Sequence, residues 1–217
     1  ELLWLYLGCI RAGYVYHPLN ASYTENELEF FLRDAGTRVV FCDQSLETRV
    51  AGVARDCAAL KHVVCLDGEQ RDGFRERLAS ASRTFATYRS SADDVAALIY
   101  SSGTTGTPKG IPLTHGNLYE NAFTLMETWR FSRSDVLLHV LPLYHVHGLF
   151  VILGPALLAG MQIRFLSRFE PTSVIKALPS VSIMAGVPTY YTRLLATDGF
   201  TSEICSKVRV FISGSAP

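Results

Sequence analysis

The clearest indication of a functional site in this sequence is a short segment rich in glycine and hydroxyl side chains. Residues 100–110 read Y-S-S-G-T-T-G-T-P-K-G and follow an apolar stretch that we expect to be a strand. Glycines let backbone N–H groups approach an anion closely, Ser and Thr hydroxyls add donors, and Lys109 brings a mobile positive charge. The segment therefore predicts a phosphate-binding loop. Its candidate ligands are Ser101, Ser102, Gly103, Thr104, Thr105, Gly106 and Lys109.

The loop differs from the common glycine motifs that bind nucleotides. In the P-loop motif G-x-x-x-x-G-K-[S/T] the lysine directly follows the last glycine, whereas Thr107 and Pro108 separate Gly106 from Lys109 here, and Gly110 replaces the Ser or Thr. A P-loop phosphotransferase is therefore disfavoured. The plain alternative is a flexible Ser/Thr/Gly linker, but a position directly after a core strand, with the lysine between Pro and Gly, favours a binding loop.

Composition and charge exclude several classes of protein. The 217 residues are 48% hydrophobic and 18% charged, which is enough apolar material for a substantial core, so intrinsic disorder is excluded. Lys+Arg 20 balance Asp+Glu 20, so no overall field draws the protein to nucleic acid or to an anionic membrane. Five cysteines without a C-x-x-C pair predict neither a disulfide framework nor a zinc site, and they indicate a reducing compartment.

The longest stretch without Asp, Glu, Lys or Arg covers residues 136–163 and is long enough to be weighed as a membrane span. Three His, two Pro and three Gly interrupt it. This pattern favours a strand, a loop, a buried helix and a second strand. We therefore expect no transmembrane segment.

Alternating helix and strand patterns predict an α/β fold with mainly parallel sheets flanked by helices. A buried helix over residues 1–12 should stop at Gly13, and a capping box of Thr24 and Glu27 should start a second helix that Gly36 ends. Apolar runs predict strands over residues 38–42, 62–66, 95–100, 136–140, 161–166, 181–185 and 208–212.

Two further helices and one boundary complete the predicted organisation. The helices cover residues 46–60 and 117–129, and Thr114 is the expected N-cap of the second. The polar residues 67–91 indicate a surface helix followed by a linker. We therefore expect a first α/β portion over residues 1–90, and a second portion with the phosphate loop over residues 91–217.

The segments that continue from the loop give the chain a family resemblance. I-P-L-T-H-G-N-L follows at residues 111–118, L-P-L-Y-H-V-H-G at 141–148, G-V-P-T-Y-Y-T-R-L-L at 186–195 and F-I-S-G-S-A-P at 211–217. Together they resemble the signature segments of adenylate-forming enzymes, the superfamily of acyl-CoA synthetases, firefly luciferase and non-ribosomal peptide adenylation domains. The resemblance covers the whole chain, its first ninety residues by general pattern only, and implies part of the large N-terminal domain of that fold.

The resemblance implies a role for each matching residue. Thr104, Thr105, Gly106 and Lys109 would hold the β- and γ-phosphates of ATP, with Ser101 standing where Thr is common. His145 would line the acid pocket beside the adenylate as a catalytic residue, and His147 would shape the pocket wall with Gly148. A loop along the adenine and the acyl pocket would comprise Ser213, Gly214, Ser215, Ala216 and Pro217.

The same resemblance implies which small molecules the protein would bind. ATP, Mg²⁺ bound to ATP, and CoA are the implied cosubstrates, and a carboxylic acid is the implied substrate. A metal pair of His145 and His147 is disfavoured, because no third ligand accompanies them at a useful spacing. We therefore expect no metal ligand set in this chain.

Two features indicate the class of acid. Amino-acid-activating relatives place an Asp near residues 141–150 to pair with the α-ammonium group, and none is present there. P-T-x-Y-T-R-L-L, together with L-P-L-x-H-V-H-G, resembles malonyl-CoA synthetases, in which the cation at Arg193 would pair, with His145 nearby, with the carboxylate of malonate that is not activated. The plain alternative for Arg193 is a solvated helix residue.

The chain ends before the family's Tyr-Gly-x-Thr-Glu segment, its ribose-binding Asp and its small C-terminal domain with the adenylation Lys. We therefore expect residues 1–217 alone to be poorly soluble and inactive as a ligase. Malonate and methylmalonate stay open as substrates, as do the cytoplasm and an organelle lumen such as the mitochondrion. Two rival functions also stay open: a short- or medium-chain acyl-CoA synthetase whose Arg193 faces water, and a non-catalytic nucleotide-binding protein derived from a ligase.

Overall fold

The structure, a computed structural model, describes residues 1–67, 74–101 and 107–215. It separates into two compact units, residues 1–90 with 95–112, and residues 91–94 with 113–217. The stretch 95–112 thus groups with the first unit, although the sequence pattern places its boundary near residue 91. The reason is long-range pairing, because the Tyr16 amide donates to the Ala96 carbonyl at 2.9 Å and accepts at its own carbonyl from the Leu98 amide at 2.9 Å.

The first unit alternates helices with two short sheets. Its elements are α1 (Leu2–Ala12), α2 (Glu25–Asp34), β1 (Val39–Cys42), α3 (Gln44–Ala54), β2 (His62–Cys65), α4 (Phe74–Ser80), β3 (Val95–Ser101) and β4 (Lys109–Thr114), the last two residues of β4 belonging to the second unit. β1 pairs with β2 in parallel, and β3 pairs with β4. The predicted surface helix within the polar stretch is confirmed as α4.

Local signals start and stop the first two helices as predicted. Gly13 ends α1 in a left-handed conformation with φ of 75°, and Thr24 and Glu27 form the capping box of α2. The prediction that the first helix is buried is wrong within this structure, since Tyr6 is its one buried residue and Trp4 is 73% exposed. Apolar composition alone does not bury a helix; it needs partners to pack against.

α3 is shorter than the predicted helix over residues 46–60. It ends at Ala54, and the following residues form turns in which the Leu60 amide donates to the Cys57 carbonyl at 2.9 Å. These turns bring the chain back to the edge of β1, where the Lys61 amide donates to the Arg38 carbonyl at 2.8 Å. Pairing in the sheet therefore overrides the helical pattern.

A parallel sheet organises the second unit. Its elements are α5 (His115–Thr128), β5 (Val136–His139), a π-helix (His147–Leu153), α6 (Gly154–Leu158), β6 (Gln162–Phe165), α7 (Pro171–Ala177), a 3₁₀ turn (Leu178–Ser180), β7 (Ile183–Gly186), α8 (Pro188–Leu195) and β8 (Val210–Ser213). The strand order is β6-β5-β7-β8 with all neighbours parallel. Thr114 caps α5 in a capping box with Asn117, which confirms the predicted N-cap.

The pleat of the central strands sorts their residues between two hydrophobic clusters. Leu137 and Ile183 pack with Ile152 in one cluster, whereas Leu138 and Met184 pack in the other with helices α7 and α8. Successive strand residues face opposite sides of a sheet, so both faces of this sheet are covered. That arrangement confirms the prediction of a mainly parallel sheet flanked by helices.

Residues 136–163 fold as strand, loop, helix and strand, as their pattern predicts. In the described ranges, no helix combines the length and the apolar character needed to cross a membrane.

A buried ion pair ties the amino ends of the sheet together. Asp135, 5% exposed, accepts from Arg209 Nη2 at 2.6 Å and from Arg209 Nε at 2.8 Å, and Ser182 Oγ donates to it at 2.8 Å. Arg209 also donates to the carbonyls of Trp129 and Arg130 at the end of α5, at 3.0 and 2.8 Å. The hydrogen bonds from Arg209 hold the pKa of the Asp135 carboxyl well below its usual range.

Candidate active site

Three segments that carry candidate site residues follow the carboxyl ends of parallel strands in the second unit. β5 leads into the loop with Tyr144 and His145, β7 leads into α8 with Arg193, and β8 leads into residues 213–215. In open α/β sheets, ligands bind beyond the carboxyl ends of the strands. The topology therefore brings these candidates to one edge of one sheet.

The two histidines of H-V-H-G occupy different environments. His145 is exposed, and its ring centroid lies 4.7 Å from that of Tyr144. His147 is buried, its Nδ1 has no hydrogen-bond partner in the described structure, and burial lowers its pKa. Val146 between them has helical backbone angles, φ −48° and ψ −45°, so the extended conformation that would point both rings the same way is not adopted.

Close backbone approach at Gly148 fixes the start of the π-helix. A Cβ atom at this position would lie 2.4 Å from the Pro142 carbonyl oxygen, so only glycine fits without a shift. The buried ring of His139, at the end of β5, is hydrogen-bonded through Nε2 to the Gly148 carbonyl at 2.9 Å. The loop that presents His145 is therefore held at both ends.

Residues 213–215 lie against His147. A Cβ atom at Gly214 would be 3.9 Å from His147 Cε1, and the Gly214 amide donates to the Gly186 carbonyl at 3.4 Å. Ser215 adopts φ of 64°, which is uncommon for a residue with a side chain. Ala216 and Pro217 lie outside the described residues. The structure thus brings the buried histidine and the Ser213–Ser215 segment together.

Arg193 lies on α8 and contacts an aromatic ring. Its Cζ is 5.0 Å from the centroid of the Phe169 ring, and that ring stacks on Tyr190 with centroids 3.9 Å apart. The side chain is exposed, and no carboxylate of the described residues lies within ion-pair distance of it. Burial raises the pKa of the Tyr190 hydroxyl, neighbouring Tyr144 raises it further, and the Arg193 cation lowers it.

His145 thus lies against Tyr144, and Arg193 lies over the Phe169 ring that stacks on Tyr190. Sequence reasoning missed Phe169 as a member of this site, because it lies in a separate loop after β6 and follows no motif.

The ends of the predicted phosphate loop are held in the first unit. Ser101 ends β3 and Lys109 begins β4, and these strands pair with each other. Ser102, Gly103, Thr104, Thr105 and Gly106 lie outside the described residues.

A second anchor of this loop was missed by sequence reasoning. The Tyr100 hydroxyl donates to Asp34 Oδ2 on α2 at 2.6 Å, and a Cβ atom at Gly110 would lie 3.4 Å from the Tyr100 ring. β4 itself was not predicted, since its Pro112 lacks the N–H group that a strand interior uses.

The described ranges give no metal-ligand group and no disulfide. There, no group of three His, Cys, Asp or Glu side chains is placed to hold a metal ion, and all five cysteines are free thiols.

Two CoA ligases from plants are similar in sequence to this chain. A malonate–CoA ligase of Arabidopsis thaliana is 30% identical over 236 residues, covering 97% of this chain and 38% of the relative. A 4-coumarate–CoA ligase 3 of Oryza sativa is 32% identical over 226 residues, covering 100% of this chain and 40% of the relative. The chain therefore spans about two fifths of the length of these relatives.

The fold agrees with a solved structure. The crystal structure of ATP-bound MatB from Rhodopseudomonas palustris matches with a TM-score of 0.91 and 43% sequence identity, over 100% of this chain and 42% of that one. The sequence model of the AMP-binding enzyme family matches residues 1–217. Both the resemblance read from the motifs and the predicted fold are thereby confirmed, and the chain belongs to the AMP-binding enzyme family.

Proposed function

We propose that this chain is part of an AMP-forming acid–CoA ligase that activates malonate or methylmalonate. In the first step, a carboxylate oxygen attacks the α-phosphorus of ATP, and the bond to pyrophosphate breaks to give an acyl-adenylate. In the second step, the CoA sulfur attacks the acyl carbon, AMP leaves and the thiol proton is released, which gives the thioester. Adenylation supplies the leaving group that a free carboxylate lacks.

Each candidate residue has a physical task in this scheme. The hydroxyls, backbone amides and Lys109 of residues 101–109 would bind the triphosphate until pyrophosphate leaves. The Ser213–Ser215 segment, with Ala216 and Pro217, would lie along the adenine and the acyl group, and His145 would contact the reacting carboxylate. Mg²⁺ would enter bound to ATP and would offset part of the triphosphate charge.

The observation that carries the choice of acid is the state of Arg193. It is a cation without a carboxylate partner among the described residues, and the helix that carries it follows the carboxyl end of β7, as the segments with His145 and Ser213–Ser215 follow β5 and β8. A guanidinium in that state can bind a carboxylate through paired N–H donors. Malonate offers one carboxylate for activation and a second for this cation, whereas acetate and octanoate offer no second one.

The direct test is AMP release by the full-length gene product with Mg·ATP and CoA, using malonate, methylmalonate, acetate and octanoate in parallel. We expect the two dicarboxylic acids to be used far better than the others. A preference for octanoate would retain adenylation but refute the acid assignment. Absence of AMP release with every acid would favour the non-catalytic alternative.

A variant tests the role of Arg193 itself. Arg193→Leu should lower kcat/KM for malonate by about 30-fold or more, since losing one partner of a charge pair costs about 2 kcal/mol or more. Activity with acetate should change little. Arg133→Leu is the matched control, because this exposed arginine precedes β5, at the opposite end of the strand. Equal malonate activity in both variants would refute the assignment.

A further inference from the structure

The contact between Arg193 and Phe169 joins helix α8 to the loop that follows β6. Phe169 lies in the loop between β6 and α7, and it stacks on Tyr190 with an interplanar angle of 8°. Tyr190 packs against both hydrophobic clusters of the second unit, so this side of the stack belongs to the core. Tyr190 and Arg193 are three residues apart on α8 and therefore lie on the same face of the helix. The Phe169 ring thus meets the cation and its helical neighbour together.

The residue after Phe169 anchors the loop. Glu170 is the N-cap of α7, and its carboxylate accepts from the Thr172 amide at 3.1 Å, the Thr172 hydroxyl at 2.7 Å and the Ser173 amide at 2.7 Å. These bonds, those from Thr172 first, lower the pKa of the Glu170 carboxyl to about 2. The backbone next to Phe169 is therefore fixed by the start of a helix.

The same cap engages the carboxylate that is next to Phe169 in the sequence. Glu170 is the carboxylate that directly adjoins Phe169, yet its oxygens bond to α7 and form no ion pair with Arg193. An aromatic ring attracts a guanidinium through its face and does not neutralise it. The in-plane N–H donors of a guanidinium that lies over a ring stay available for a carboxylate. No hydrogen bond or ion pair of the Arg193 side chain is found among the described residues, so its N–H donors stay available beside the Phe169 ring.

We propose that Phe169 is a positioning residue that orients Arg193 for the second carboxylate of the substrate. This inference rests on the proposed function, because it assumes that Arg193 binds that carboxylate. A free arginine side chain samples many rotamers, and binding must restrict them. Contact with Phe169 restricts them beforehand, so the effect should appear in the binding of malonate and not in the chemical step.

Phe169→Met is the main variant, because methionine fills a similar volume but has no aromatic face. We expect the KM for malonate to rise about 2- to 30-fold, the range that corresponds to a cation–π contact. The kcat, the KM for ATP and the activity with acetate should stay within about 2-fold. Phe169→Tyr keeps the ring and should restore the KM for malonate.

Two controls separate positioning from general packing. Phe123→Leu removes an exposed aromatic ring that stacks on Tyr119 on α5 and contacts no arginine of the site, so it should leave all constants unchanged. Phe169→Leu provides a second ring-free variant if the methionine variant does not fold. Acetate activity shows in each case that the variant is folded.

The outcomes distinguish this inference from the function on which it rests. If Arg193→Leu leaves malonate activity unchanged, the proposed function fails. If Arg193→Leu abolishes malonate use while Phe169→Met leaves the KM for malonate unchanged, the function stands and the positioning role is refuted. If Phe169→Met lowers acetate and malonate activity equally, or if Phe169→Tyr fails to restore the KM, Phe169 has only a structural role and the inference is also refuted.

Discussion

Replacing Asp135 by Asn should weaken the second unit far more than a comparable change at the surface. The carboxylate is 5% exposed and accepts two hydrogen bonds from Arg209, at 2.6 and 2.8 Å, and one from the Ser132 amide at 2.9 Å. Asn is nearly the same size but is neutral, and its Nδ2 would donate at a position where a carboxylate oxygen now accepts from the guanidinium. The variant would leave the Arg209 cation facing an uncharged amide.

The expected cost follows from burial. Removing one partner of a buried ion pair costs about 3–5 kcal/mol. Arg209 remains 38% exposed at its side chain and keeps its bonds to the carbonyls of Trp129 and Arg130, which favours the lower end of that range. We therefore expect about 3 kcal/mol. At 1.4 kcal/mol for each factor of ten, this corresponds to an opening equilibrium about 100-fold more favourable.

Native-state hydrogen exchange measures this opening without assuming that the whole protein unfolds in one step. The amides of β5 and β8 should exchange about 100-fold faster in Asp135→Asn. Glu29→Gln is the matched control, because it breaks the Arg33–Glu29 pair at 2.8 Å, whose side chains are 62% and 35% exposed. An exposed pair of this kind contributes about 0.3–0.5 kcal/mol, so exchange in α2 should change about 2-fold.

The pH dependence gives a second check on the same pair. The Asp135 pKa is lowered in the folded protein, chiefly by the hydrogen bonds from Arg209. A lowered pKa stabilises the fold fully above the unfolded value of about 3.9, and the stabilisation is lost as the pH falls toward the folded pKa. The difference between wild type and Asp135→Asn should therefore shrink below about pH 4. Exchange rates that match at pH 7, or a difference that does not vary with pH, would refute the reasoning.

Other substitutions test the local geometry. Gly148→Ala would place a Cβ atom 2.4 Å from the Pro142 carbonyl oxygen, so we expect about 1–3 kcal/mol of destabilisation and a loss of malonate activation. Gly52→Ala is the control, because no heavy atom lies within 4 Å of its new Cβ atom, and it should stabilise α3 by about 0.5–1 kcal/mol. Denaturant unfolding gives the free energy of unfolding of each variant, and equal changes in the two would contradict the close approach at Gly148. Thr114→Ala should cost about 1 kcal/mol by removing the acceptor for the Asn117 amide at 3.1 Å, while Thr114→Ser should retain stability; an Ala variant as stable as wild type would argue against the cap.

Sequence patterns predicted the features that depend on neighbouring residues. The helix that starts at Thr24, the helix capped by Thr114 and the end of α1 at Gly13 all follow from bonds or backbone angles within a few residues. Strand positions in the second unit were also predictable, because buried parallel strands need short, continuously apolar runs. The motifs identified the family, since their residue types reflect the chemistry of the site and not its packing.

Contacts between distant residues were beyond the reach of those patterns. Asp135 and Arg209 are 74 positions apart, and Tyr100 and Asp34 are 66 apart. No local signal marks such a pair, because each side chain alone looks like an ordinary polar surface residue. The helical backbone angles of Val146 have no local signal either, because the π-helix that begins at His147 depends on the packing of Gly148 against Pro142.

The candidate site likewise has features that the sequence indicates and features that only the tertiary structure decides. Residue types and spacing made the loop with Lys109 a candidate phosphate site, whereas His145, Arg193 and the Ser213–Ser215 segment became candidates through the family resemblance. Only the tertiary structure decided that His147 is buried against Gly214 while His145 is exposed. It also decided that Phe169, from a separate loop, contacts Arg193. Local sequence determines which groups are present and where helices and strands begin, whereas burial and side-chain contact depend on how separate segments pack.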